Sequence, residues 1–472
     1  MNFNYIIHIG IISLNLLIAA LIRARVKFFQ RYLIPSPIIA GFLLLIFYNF
    51  VAPAFQLRSD YLGELVYHLL NISFIAMMLR VSDKAAVTKQ RRRALFGNVT
   101  AVIAQYALQC FFGLMAAFVL IATIRKDLSP AIGYTLPLGF ELGPGQAYSM
   151  SLPWEKMGFE GASSVGLTMA AIGFLLGSFG GVYLINLGLR RGWISEEYRN
   201  KISKQSVRTG FFSRKESERP VGSFLSTDGE SLDTLSYHIA LVMLTYFLSY
   251  LFLKGFSFLL HLIGPMGDDL AESLWGINFI FSAFCALFVK LIMKQTKVET
   301  TIDNGSLNRI NGLSVDLTVA ASLGAISLVA VQGYWLPILV LVAVGSLITL
   351  LILPYYCSRL YDDHQFFRML VIYGTATGTL PTGLALLRVV DPEFETPVAT
   401  DYMYSVGIVF ILVIPIILTI NLPILSVRNQ NPQLFWLAVL IVFSYLVLSF
   451  AAYLIISGKR AFANRSKLFY VE

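Results

Sequence analysis

The chain has 472 residues, 57% of them hydrophobic and only 13% charged, with a formal net charge of +9. Soluble globular proteins carry about 25% charged residues, so this composition excludes a water-soluble globular fold and points to a polytopic, all-α integral membrane protein. In a soluble protein the basic excess would suggest nucleic acid; here no nucleic-acid partner is expected, and the placement of the charges is read as topology.

Crossing about 30 Å of hydrocarbon takes roughly 20 apolar residues in a helix. Runs of that kind predict helices over 4–22, 36–53, 62–80, 94–124, 164–189, 237–253, 273–293, 310–331, 334–357, 399–425 and 434–457, eleven in all. The first run has no basic residue before it and no small-residue cleavage site, so it is expected to be a retained helix rather than a signal peptide. Two further stretches, 130–153 and 366–388, are apolar but broken by glycines and prolines. Cys110, Cys285 and Cys357 are isolated in or beside apolar segments, which fits small buried hydrophobes rather than a disulfide framework or metal cluster. The five histidines do not cluster, and no metalloprotease, nucleophile-elbow or phosphate-loop motif occurs, so neither an enzyme nor a transition-metal site nor a bound cofactor is expected.

The basic residues decide whether the two broken stretches cross. If neither does, the loops 23–31, 80–93, 190–219, 290–309 and 359–368 and the tail 459–467 share one side, with 4, 6, 9, 4, 2 and 4 Lys or Arg, or 29 of the chain's 36. Cytoplasmic loops collect such residues. Both stretches are therefore expected to dip in and return, 130–153 from outside and 366–388 from the cytoplasm. The N-terminus then lies outside and the C-terminus inside.

The polar run 190–236 divides the chain and reads as a cytoplasmic linker. On each side of it the pattern is four helices, a glycine-rich dip and one helix. The segments 1–189 and 237–425 are thus expected to be inverted repeats, each with a re-entrant hairpin, and 426–472 adds an eleventh helix and a tail. Order and spacing match as well: "GFELGPGQAYSM" precedes a helix ending "YLINL", and "YGTATGTLPTGLALL" precedes one ending "LTINL". Inverted repeats with broken helices meeting at the membrane midplane are the architecture of many secondary transporters.

These segments, with "RYLIPSPIIAGFLL", "MGFEGASSVGLTMAAIGFLLGSFGG" and "LSVDLTVAASLGAISL", resemble the glutamate:sodium symporter family over roughly residues 1–425. The resemblance implies a bacterial inner-membrane homodimer that imports L-glutamate with Na⁺ by alternating access. Family members place a His between the glycines of the first hairpin and a Thr after the second; here Pro144 and Gln146 stand there. A related symporter for another amino acid or a di- or tricarboxylate, coupled to Na⁺ or H⁺, is the nearer alternative. An intramembrane enzyme is the farther one.

Glu141 is the sharpest candidate for a cation or proton site, because a carboxylate near hydrocarbon needs a cation or donor; a shallow interfacial carboxylate is its bland alternative. Gly143, Gly145 and Gly378 allow close approach of the backbone to an ion. Asp316, inside the eighth predicted helix, is a candidate Na⁺ ligand or a partner of Arg80 or Arg388. Asn186 and Asn421 are expected to cap freed backbone near the hairpins or to contribute to the cation site. Gln146, Tyr148 and Ser149 in the first dip and Thr375, Thr377, Thr379 and Thr382 in the second are expected to face substrate, although each can also satisfy local backbone groups. Arg388 would hold a substrate carboxylate or serve as an inner-face anchor.

Overall fold

Short polar side chains set where several helices begin. Asp233 accepts hydrogen bonds from the backbone amides of Leu235 and Ser236, Asp303 from that of Ser306, and Asn431 from that of Gln433. Each satisfies amides that the start of a helix leaves unpaired. The computed structural model describes residues 4–32, 34–81, 89–195, 198, 209, 222–262, 264–391, 395–463 and 468–469. In chain order the helices are α1 (Asn4–Arg25), α2 (Ser36–Phe55), α3 (Asp60–Leu79), α4 (Lys89–Thr123), α5 (Ile132–Pro137), α6 (Pro144–Lys156), α7 (Ala162–Arg191) and α8 (Thr234–His261). They continue as α9 (Pro265–Gly276), α10 (Asn278–Gln295), α11 (Asn304–Gly324), α12 (Trp335–Leu360), α13 (Gln365–Thr377), α14 (Leu380–Val390), α15 (Val398–Arg428) and α16 (Pro432–Ser457).

No strand occurs among the described residues. Ten of these helices are long and apolar enough to cross a membrane: α1 to α4, α7, α8, α10, α12, α15 and α16. The protein is an all-α integral membrane protein. The eleventh expected crossing is α11, which has 21 residues but carries Arg309, Asp316 and three asparagines.

Boundaries differ from expectation where caps and prolines override hydropathy. The helix expected at 310–331 starts earlier, at the Asp303 cap, and ends at Gly324; Ser327 then caps a separate short helix, Leu328–Gln332. The helix expected to end at 253 continues to His261: Lys254 lies over the ring of Tyr250 at 5.6 Å, and the apolar run resumes with Phe256, Phe258, Leu259 and Leu260. α9 was not expected at all. Between Pro415 and Pro423, α15 is interrupted at 419–421. Most of the linker expected over 190–236 lies outside the described residues, although α7 carries the chain to Arg191 and the Asp233 cap opens α8.

Packing sorts the helices into two groups. In the first, α11 lies against α2 and α3, α10 against α3, and α8 against α9 and α10. Small residues make these contacts close: a Cβ on Gly41 would meet Leu323 at 2.8 Å, and one on Gly324 would meet Leu44 and Leu62 at 2.9 Å. In the second, α4 packs on α5, α12, α15 and α16, while α7 and α12 flank α13. Each group therefore takes helices from both sides of the linker. Between the groups runs α6, which lies against α7 on one side and α3, α9 and α11 on the other.

Candidate functional site

The first broken stretch is shaped by one proline and one glycine. Pro137 cannot donate a backbone hydrogen bond, and the helix loosens into a π turn over Leu138–Leu142. Gly143 then adopts φ 90°, ψ −179°, a conformation open essentially only to glycine. Pro144 follows at the first position of α6, where a missing N–H costs nothing. The residue that departs from the resembled pattern thus has a local role.

Both arms of this stretch begin and end at the same place. The Tyr134 hydroxyl on α5 hydrogen-bonds the Thr419 hydroxyl at 2.6 Å, and Trp154 Nε1 on α6 donates to Asn421 Oδ1 at 2.7 Å. Both contacts fall in the interruption of α15. The chain therefore reverses at Gly143.

The second stretch is a tight pair of antiparallel helices. A Cβ on Gly374 of α13 would lie 2.6 Å from Gly383 Cα of α14, so the arms pack backbone against backbone. At its base the buried Arg368 donates to Asp363 and Asp401, at 3.0 and 3.1 Å from Nη2. Arg91 reaches the other oxygen of Asp401 at 2.9 Å. At 1.5 Å per residue, Asp401 lies about 27 Å along α15 from Thr419. The two pairs of arms enter the second group from opposite ends of α15.

Their tips touch. A Cβ built on Gly143 would fall 2.6 Å from Thr379 Cγ2 and 3.6 Å from the Gly378 carbonyl oxygen. α7 lines the meeting point: a Cβ on Gly173 would collide with the Thr377 carbonyl at 2.5 Å, and one on Gly177 would press on Thr377 and Thr382. Both helices that leave the tips start there without a side-chain cap, α6 after Gly143 and α14 after Thr379. Two helix N-termini with their positive dipole ends therefore converge, although Pro144 and Pro381 carry no N–H and the Thr382 amide donates to the Thr379 carbonyl.

Several of the residues singled out in the sequence gather here. Gln146 lies in the first turn of α6 and is buried; Ser149, one turn on, is 2% exposed, and its Oγ has no partner. Thr379 is half-buried at the tip and Thr382 is buried. Thr375 and Thr377 donate to the carbonyls of Val371 and Tyr373 on their own helix. Gly145 packs on Leu70, and Tyr148 turns toward α3, against Gly63.

Others lie elsewhere. Arg388 is exposed in the last turn of α14. Asp316 is exposed in the middle of α11 and forms no ion pair with Arg80, which instead donates to Asn308 Oδ1 at 2.6 Å and to the Met77 carbonyl. Neither asparagine caps a tip. Asn421 binds Trp154 at the base of the first pair of arms. Asn186 bonds the Val182 carbonyl of its own helix, close to Gly188, which faces Phe366 at the base of the second pair.

Beside the tips lies a set of buried polar atoms that hydropathy hides. Glu141, in the π turn, is 8% exposed, and its Oε2 has no hydrogen-bond partner. Gln109 Oε1 on α4 is likewise buried and unpartnered, and Tyr106 Oη, buried one turn before it, has no partner of normal geometry beyond the neighbouring Cys110 thiol. Gln109 Nε2 donates to the Ala376 carbonyl of the second hairpin at 2.9 Å. The available signal was "QYALQC", two glutamines and a tyrosine within one and a half turns of an otherwise apolar helix. Among the described residues, no three His, Cys, Asp or Glu side chains are grouped to hold a metal ion.

A family profile described as sodium/glutamate symporter matches residues 1–394, which takes in every helix from α1 to α14. No curated protein and no solved structure matches the chain.

Proposed function

We propose that this chain, which belongs to the sodium/glutamate symporter family, imports L-glutamate together with Na⁺ by alternating access at the meeting point of the two hairpin tips. One observation carries the reading: broken helices from opposite ends of α15 touch at Gly143 and Thr379. Irregular backbone is tolerated at membrane depth only where protein buries it or a watery cavity lines it. A site between two such tips can open to one side by movement of one hairpin and to the other by movement of its counterpart.

The convergent N-termini of α6 and α14 suit the carboxylates of an anionic amino acid. In this reading Gln146, Ser149, Thr379 and Thr382 bind the solute directly. Tyr148, Thr375 and Thr377 pack around the tips, and Arg388 attracts the anion from the cytoplasmic side. Na⁺ is held near Glu141 and the backbone at Gly143, Gly145 and Gly378. Asp316 lines the approach on the other group of helices, while Asn186 and Asn421 steady the two hairpin bases. The two halves of the chain are inverted repeats, supported by the way helices from both sides of the linker combine in each group. The protein works as a homodimer in a bacterial cell membrane, with its N-terminus outside and C-terminus in the cytoplasm.

A symporter for a related anion is the second reading, and Pro144 and Gln146 favour it, because they replace the His and Thr of the family pattern at the tip. Uptake by proteoliposomes of purified protein tests both. Labelled glutamate accumulates under an inward Na⁺ gradient and is displaced by excess unlabelled glutamate. Displacement by aspartate or citrate but not by glutamate supports the second reading, and no accumulation of any of these solutes sinks both.

A further inference from the structure

We infer that Glu141, Tyr106 and Gln109 form a closed site for a single monovalent cation, Na⁺ or a proton, whose binding locks the two hairpin tips to α4. This rests on the symporter reading and goes further by naming residues of α4 outside both hairpins. Three buried oxygens lack a hydrogen-bond partner of normal geometry: Glu141 Oε2, Gln109 Oε1, and Tyr106 Oη, which has the Cys110 thiol of its own helix beside it. Glu141 acts electrostatically on Tyr106 and Cys110 of α4 and on Tyr402 of α15. Gln109 is on the same face of α4 as Tyr106, and its amide nitrogen holds the Ala376 carbonyl. The oxygens therefore join α4, the first hairpin and the backbone of the second.

A buried carboxylate persists only if its charge is balanced. Among the described residues Glu141 Oε2 has neither an ion-pair nor a hydrogen-bond partner. The titratable side chains within its electrostatic reach are two phenols and a thiol: Tyr106 and Cys110 from α4 and Tyr402 from α15. From α7, the run Met169 to Phe174 brings none. One anionic and two neutral oxygens are the donors that a hard cation prefers. Na⁺ would take all three, and a proton would sit on the carboxylate and be shared with Tyr106 or Gln109. Either charge removes the penalty and draws the hairpins together.

The test follows the melting temperature of the purified full chain in detergent. Na⁺ is exchanged for choline at constant ionic strength and pH in one arm; in the other, pH is varied without Na⁺. The wild type is stabilised by Na⁺ in the first arm or by acid in the second, which identifies the cation. Glu141→Gln loses that response and melts no lower than the cation-free wild type, since its neutral amide needs no counter-charge. Tyr106→Phe and Gln109→Leu each weaken the apparent affinity about tenfold, the usual effect of removing one hydrogen-bonding partner from a charged group. A wild type that answers to neither cation, or a Glu141→Gln variant with the full response, overturns the site. If Glu141→Gln does not fold, unchanged affinity in both α4 variants does so. Binding is read without transport: a Glu141-dependent response in a protein that moves no solute keeps the site and removes the symporter reading, and the converse keeps only transport.

Discussion

Gly143→Ala probes the tip contact most sharply. At φ 90°, ψ −179°, any side chain costs about 1–3 kcal/mol of backbone strain. The added methyl would also lie 2.6 Å from Thr379 Cγ2, an overlap worth about 1–3 kcal/mol where neither neighbour can yield. If the touching tips belong to the transport cycle, a combined loss of about 3 kcal/mol lowers the population of that state roughly a hundredfold. The assay is initial uptake in proteoliposomes, normalised to folded protein and compared with the melting temperature. Gly158 is the control, because it shares the backbone strain, at φ 98°, but has nothing within 4 Å of an added Cβ. Gly158→Ala therefore loses about 1–3 kcal/mol of stability through strain alone and keeps uptake. Thr379→Ser added to Gly143→Ala removes the clashing methyl and restores part of the rate. Uptake in Gly143→Ala within twofold of wild type, or an equal loss in Gly158→Ala, would refute the reasoning.

Other outcomes follow from contacts further from the tips. Arg368→Met takes one partner from Asp363 and leaves the buried Asp401 with Arg91 alone, and is expected to destabilise the protein by about 1–3 kcal/mol, read as a lower melting temperature; an unchanged melt would remove the base of the second pair of arms as a fixed anchor. Phe469 is fully buried, with ring centroids 5.1 Å from Trp193 and 5.5 Å from Phe366, so Phe469→Ala costs about 3–5 kcal/mol by the same measure. Burial tends to raise the pKa of Asp303, but hydrogen bonds from Ser306 and from the amides of Gly305 and Phe224 outweigh it and hold the carboxyl below the usual range. A depressed folded-state pKa gives stability that is present above the unfolded value and is lost as pH falls through the folded one. Asp303→Ala therefore melts lower than wild type near neutrality, by about 1 kcal/mol for the lost helix cap, and the gap closes in acid below the usual aspartate range; a gap independent of pH contradicts this.

The crossings were legible because roughly 20 apolar residues in a row have no other common use. Where side chains compete with hydropathy, element boundaries depart from the hydropathy pattern. α11 was expected several residues too late because Asn304 to Arg309 read as a polar loop, whereas the Asp303 cap draws those residues into the helix. α9 escaped because a short helix with two aspartates and a glutamate has no transmembrane signature. The breaks between the paired arms were legible from their glycines and prolines, and Gly143 and Thr379 do meet. The polar partners on α4 were not, because Tyr106 and Gln109 sit inside an apolar run whose average hides them. The pairing of Asp316 with Arg80 failed for a different reason: sequence places both charges inside or at the end of apolar helices, but nothing in it says that Asn308 is nearer to the guanidinium.

In the proposed mechanism this chain moves an anion and Na⁺ together through the place where the hairpin tips meet. Parallel fluxes of labelled glutamate and labelled Na⁺ into the same proteoliposomes test it directly. Glutamate is expected to accumulate above its external concentration, the two fluxes to keep a fixed ratio as either concentration is varied, and both to collapse together when the Na⁺ gradient is dissipated or Gly143→Ala is introduced. Glutamate uptake that ignores Na⁺ and acid alike, or coupled fluxes untouched by Gly143→Ala, would contradict it.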